Sequence, residues 1–179
     1  GNVIMNIGDG VSARYYNPGD KVPANYQLLL TFKDESFLVF TVAMYGFISA
    51  YPDAVIDNKY YTISRESISP LSDAYTEAEF GKLFASAKKT LTAKALLATE
   101  QRIPGVGNGV TQDILFNAGI HPKQKVFDLS DGQKGVLFKS LKDTLMAMTS
   151  GRGRDTQTDL YGNEGGYKTI LSSKTWKNP

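Results

Sequence analysis

Ile103-Pro104-Gly105-Val106-Gly107-Asn108-Gly109 is the run with the most chemistry in it. Glycines let a backbone approach a ligand closely, while free N–H groups and the positive end of a following helix dipole face an anion. Gly105, Gly107 and Asn108 can therefore hold a phosphate. No Lys-Ser/Thr pair follows, so this is not a Walker loop, and without a preceding strand it is not a dinucleotide fingerprint. The same turn also serves as plain packing between two helices. Asn108 has two roles open to it, amide donor to a phosphate or helix N-cap. Arg152 and Arg154, flanked by Gly151 and Gly153, suit a flexible clamp on phosphates or a loop kept soluble by charge. Lys94, taken alone, is a solvated helix residue. His121, the single histidine, sits before Pro122 and orders a turn rather than moving protons. Asp155 and Asp159 could face one another, but the sequence supplies no metal constellation around them, and Trp176 reads as packing or a hydrophobic anchor.

The elements that must position these residues fall into two halves. Residues 2 to 51 read as four short strands. Val3-Ile4-Met5 opens an apolar segment, Tyr26 to Phe32 and Phe37 to Val42 form a hairpin about Lys33-Asp34-Glu35-Ser36, and Phe47 to Tyr51 follows Gly46. After Ser69-Pro70-Leu71 the period lengthens to that of a helix. Thr76 and Glu79 make a capping box, with Phe80, Leu83, Phe84, Ala87 and Leu91 on one face. Further helices are predicted over Thr92 to Gln101, Asn108 to Ala118 and Asp131 to Met148, the last with Leu137, Leu141, Leu145 and Met148 inward. A Gly-rich polar stretch from Ser150 to Gly166 precedes a tail with room for one more strand.

Composition bounds the class. The 179 residues are 41% hydrophobic and 21% charged, which excludes a mainly disordered or collagen-like chain. With no cysteine there is no disulfide, thiolate nucleophile or Cys-ligated zinc within these residues. No apolar run approaches the roughly 20 residues that span a bilayer, and no secretory start is visible at Gly1, so the expected compartment is the cytoplasm. Residues 1 to 80 hold five bases against ten acids, net −5, and residues 81 to 179 fifteen against eight, net +7. A basic half suits an anionic partner such as nucleic acid, or is an uneven solvated surface.

Lys94-Ala95-Leu96-Leu97, Gly105-Val106-Gly107-Asn108 and Asp113 through Gly119-Ile120-His121-Pro122 together resemble the helix-two-turn-helix region of the formamidopyrimidine-DNA glycosylase and endonuclease VIII family. Pro70-Leu71-Ser72-Asp73 resembles the family's entry to its helical domain, and Tyr45-Gly46 its Phe-Gly pair. Ser150 to Asp155 and Gly162 to Tyr167 resemble the loop near the damaged base. The resemblance implies an α+β fold, a partial antiparallel β-sandwich over residues 1–66 followed by a helix-two-turn-helix domain over 67–150. Residues 151–179 would be the lesion-side loop and a linker toward a zinc finger. It implies a DNA repair role in a bacterial, nucleoid-associated monomer. The partner would be double-stranded DNA carrying a damaged base or abasic site, gripped by Lys94, Gly105, Gly107, Asn108, Arg152 and Arg154.

The family removes oxidised bases and then cleaves the strand, using an N-terminal proline amine followed by a glutamate. Neither is in this sequence, nor are the cysteines of the zinc finger that follows a segment like Lys177-Asn178-Pro179. The chain is thus expected to be a central fragment without catalytic residues or cofactor, zinc belonging to the complete parent protein. A non-catalytic binder of damaged or bent DNA is the alternative. Asp9 stands where the family often has Met, Met44 where it often has Arg, Thr99-Glu100 for an acid-amide pair and Val110 for a tyrosine.

Overall fold

The computed structural model describes residues 3–8, 10–52, 56, 58–172 and 175. The chain divides into two compact units, residues 1–57 with 155–165 and residues 58–154 with 166–179.

The first unit is built from strands β1 (Val3–Ile7), β2 (Val11–Tyr16), β3 (Leu28–Thr31), β4 (Phe37–Val42) and β5 (Ile48–Pro52). Five strands form where four were expected, because Val11–Tyr16 also pairs. A three-stranded antiparallel sheet runs β2-β4-β3, and β1 pairs with β5 in a two-stranded ribbon. The expected hairpin is β3-β4, with Leu28 opposite Phe40 and Thr31 opposite Phe37. Phe37, Val39 and Phe40 are the buried side chains of β4, and the Phe37 ring stacks on Tyr16 at 5.0 Å. Gly10 sits at φ 83°, and a Cβ there would lie 2.6 Å from the Ala43 carbonyl oxygen, so the tight approach of the two connections needs glycine. The 155–165 segment returns to β2: Tyr15 N–H donates to Leu160 O at 2.8 Å, and the Tyr15 and Tyr161 rings meet edge to face.

The second unit is helical: α1 (Lys59–Glu66), α2 (Glu77–Ala85), α3 (Ala93–Ala98), α4 (Asn108–Asn117) and α5 (Asp131–Ser150). Phe80, Leu96, Leu97, Ile103, Ile114, Leu137 and Leu141 form the centre of its core, each at most 1% exposed. On α5 the inward positions Leu137, Leu141, Leu145 and Met148 are those the period predicted. Polar pins supplement the apolar seam between α4 and α5. Ser140 Oγ donates to the Ile114 carbonyl at 2.7 Å, and Asn117 Nδ2 to Thr144 Oγ1 at 3.1 Å.

Three expectations change at the element ends. Helix α2 stops at Ala85, and Ala87 and Leu91 reach the core from turns rather than from a continued helix. The Thr76 hydroxyl accepts from Glu79 N–H at 3.3 Å, but the Glu79 carboxylate pairs with Lys82 instead of closing a box. The reciprocal box is at α5, between Ser130 and Gln133. Among the described residues no strand follows Tyr167, which makes only an isolated bridge with Arg154.

Candidate nucleic-acid interface

The glycine turn is anchored from below and open above. Ile103 and Val106 are buried in the helical core, while Gly105, at φ 79°, and Gly107 are exposed. The chain enters the turn through Glu100 and Gln101, both at positive φ, with Arg102 donating to the Ala95 and Thr99 carbonyls that end α3.

Helix α4 then begins without a side-chain cap. Its N-cap is Gly107, and Asn108 is the first helical residue, so the cap role for the Asn108 carboxamide is set aside. The side chain of Asn108 is exposed and makes no hydrogen bond among the described residues. The other four helices are each capped, by Asn58, Thr76, Thr92 and Ser130. The first turn of α4 carries no acidic residue to offset its dipole. Its leading N–H groups therefore face outward beside the Asn108 carboxamide.

Arg154 is brought to the same place. A Cβ added to Gly109 would lie 2.1 Å from Arg154 Nη1 and 2.9 Å from its Cζ, so the guanidinium rests against the first turn of α4. The backbone is held there by the bridge to Tyr167 and by Tyr167 N–H donating to Gly153 O at 3.0 Å. Arg154 has no carboxylate partner among the described residues. A cation beside the positive end of a helix is poorly matched by the protein alone and well matched by a bound anion.

The other predicted residues are placed differently. Arg152 adopts φ 57° where α5 ends, its N–H donating to Thr149 O, and its side chain is exposed. Lys94 is exposed on α3, where it lines a groove with Thr111, Gln112 and Phe116 of α4. Asp159 is occupied within its own loop: its carboxylate accepts from Tyr161 N–H and from Asn163 N–H and Nδ2, and the Asn163 bonds hold it below the ordinary carboxylate value. Met44 and Tyr45 stand 91% and 89% exposed on the turn between β4 and β5. Asp9, Trp176 and Lys177-Asn178-Pro179 lie outside the described residues.

Sequence reasoning missed Asp113. Fully buried on α4, its carboxylate accepts from Ile170 and Leu171 N–H, both at 3.1 Å, and so ties the tail segment to the helix that carries the turn. An acid inside the apolar run Ile114-Leu115-Phe116 was the available signal. Zinc does not fit the residues present. The chain has no cysteine, His121 Nδ1 accepts from Lys123 N–H, and no three His, Cys, Asp or Glu gather among the described residues.

Two antiparallel sheets and a helical unit with an exposed glycine turn before an uncapped helix define an α+β chain with the fold of the formamidopyrimidine-DNA glycosylases. The solved complex between the Lactococcus lactis Fpg and an abasic site containing DNA superposes with a TM-score of 0.71 at 17% identity, covering 92% of this chain and 60% of that one. In sequence, the chain is similar to formamidopyrimidine-DNA glycosylases from Carboxydothermus hydrogenoformans, 30% identical over 57% of this chain and 39% of the relative, and from Listeria innocua, 28% identical over 88% and 58%. No family model matches. The chain spans about half the length of such curated relatives, between 39% and 58% of these two. The resemblance read from Gly105-Val106-Gly107-Asn108 and its flanks thus holds for sequence and fold together. No helix among the described residues is long and apolar enough to cross a membrane.

Proposed function

We propose that this chain is the central, DNA-docking portion of a base-excision glycosylase acting on oxidised bases. In this reading α3, the turns from Thr99 to Gly107 and α4 are the helix-two-turn-helix element of a domain over residues 67–150. Its partner is double-stranded DNA with a damaged base or abasic site. The observation that carries the proposal is the uncapped start of α4, with the Asn108 carboxamide and the Arg154 guanidinium beside it, neither with a side-chain partner among the described residues.

Base removal requires the lesion to be rotated out of the stack at a cost of a few kcal/mol, which contacts to the bent backbone offset. Gly105, Gly107 and Asn108 grip a phosphate through N–H groups and the carboxamide, Arg154 adds charge, and Arg152 and Lys94 extend the basic surface. Base displacement and strand cleavage, and the zinc finger, belong to the complete protein.

Fluorescence anisotropy with a duplex containing a tetrahydrofuran abasic analogue tests this. Asn108→Ala removes a neutral donor, so affinity falls about tenfold while the salt slope stays unchanged. Wild-type affinity that is flat with salt, or untouched by Asn108→Ala, overturns the reading.

A further inference from the structure

A groove of about 820 Å³ runs along α4 on the helical unit, from Thr111, whose N–H donates to Gly107 O, to Ile120 and Lys123. Its walls are apolar, from Leu115, Phe116, Ile120 and Leu171, and its basic residues are Lys94, His121 and Lys123. Among the described residues no Asp or Glu lines it. Phe116 is 58% exposed and Leu171 43%, a pair of large apolar side chains held in water at the edge of a concave surface. The ammonium groups of Lys94 and Lys123 enter no ion pair among the described residues.

We propose that this groove is a docking site for an acidic peptide segment of a partner protein, one carrying large apolar side chains between carboxylates. The apolar residues fill the space between Leu115, Phe116 and Ile120, and the flanking carboxylates meet Lys94 and Lys123. Charge complementarity selects this occupant. A polybasic peptide is repelled by the same rim, and a neutral apolar one leaves both lysines unmatched. The assignment does not depend on DNA docking at the glycine turn, although Lys94 is a residue that both surfaces share.

The test is anisotropy of the full chain with a short fluorescein-labelled peptide, leucine and phenylalanine flanked on both sides by aspartates. The expected dissociation constant is about 10–100 µM, as suits a small interface. Phe116→Ser, at an exposed position that folding tolerates, weakens it about tenfold, and the pair Lys94→Glu with Lys123→Glu does the same. Replacing the peptide's aspartates by asparagines costs a similar factor.

No saturable binding, or binding equal in wild type and Phe116→Ser, overturns the proposal. So does tight anilinonaphthalene sulfonate binding that the peptide cannot displace, which would assign the groove to a small amphiphilic anion. Self-association that Phe116→Ser abolishes would assign it to a second copy. Peptide binding only after deletion of residues 176–179 would assign it to the chain's own tail. Loss of duplex binding in Phe116→Ser in parallel with peptide binding would assign it to DNA.

Discussion

Replacing Gly109 by alanine sets the stability of the helical unit against its affinity for a phosphate. Gly109 is the second residue of α4 and has ordinary negative φ, so the backbone accepts alanine without strain. Helix propensity alone favours the change by up to about 0.5–1 kcal/mol. The added Cβ would meet Arg154 Nη1 at 2.1 Å, and ordinary contact begins near 3.4 Å, so the guanidinium must withdraw by about 1.3 Å. That group is the end of a flexible side chain, and the core below it is untouched. A charge-assisted bond to a phosphate does not survive such a displacement at full strength, and losing it costs about 1.5 kcal/mol or more, near tenfold in affinity. Gly109→Ala is thus expected to melt higher and bind the abasic duplex about tenfold more weakly at low salt. Arg154→Ala loses a similar amount and flattens the salt slope by about 0.9, the value of one phosphate contact. In the double variant the losses do not add, because both act through one guanidinium. Full additivity, or a Gly109→Ala protein that binds as wild type while Arg154→Ala does not, refutes the placement of Arg154 at the turn.

Two further outcomes concern buried groups. Asp113→Asn turns an amide nitrogen toward one of the two N–H groups at Ile170 and Leu171, so urea denaturation should show a loss of about 1–3 kcal/mol, with faster hydrogen exchange at both amides; a loss below about 0.5 kcal/mol would mean the tail is not held there. The Tyr75 hydroxyl is pushed up to about 12 by burial and, secondarily, by the Glu79 carboxylate. Between the unfolded value of 10 and about 12 the folded chain keeps a proton that the unfolded chain gives up. Its contribution is therefore intact below pH 10 and declines as pH rises to 12, by about 2 kcal/mol. Tyr75→Phe lacks that decline and, having lost an unpartnered buried hydroxyl, is at least as stable at pH 7; equal alkaline slopes in the two proteins would count against it.

What the sequence made legible follows from burial. Helix α5 was readable because Leu137, Leu141 and Leu145 recur on a face that is fully occupied by core, and the β3-β4 hairpin because both strands are rich in β-formers around a charged turn. Helix α1 was not readable: it buries no residue, and Asn58, whose carboxamide accepts from Tyr60 and Tyr61 N–H, is its main local signal. Strand β2 was passed over although Val11-Ser12-Ala13-Arg14-Tyr15 alternates, because Ala13 is a poor strand former and none of the six residues is fully buried. At the interface, the glycine turn and Asn108 are local features, and spacing exposed them. The approach of Arg154 to Gly109 and the clamp of Asp113 on Ile170 and Leu171 join distant segments, so only the fold reveals them.

The electrostatics of α4 explain why these few groups matter beyond their number. Elsewhere in the helical unit, orphan N–H groups are met by a hydroxyl or carboxamide, as at Thr92 and Ser130. At α4 the cap position is glycine, the first turn has no carboxylate, and a guanidinium lies against the same end. Each of these choices is unfavourable or neutral for the isolated protein, since a cap contributes about 1 kcal/mol and an acid in the first turn a few tenths more. All three become favourable when an anion sits on the turn, because its oxygens accept from the free N–H groups and its charge offsets both the dipole and Arg154. On the proposed function, stability forgone at one helix end is converted into affinity for a phosphate, so alanine at Gly109 should raise one quantity and lower the other.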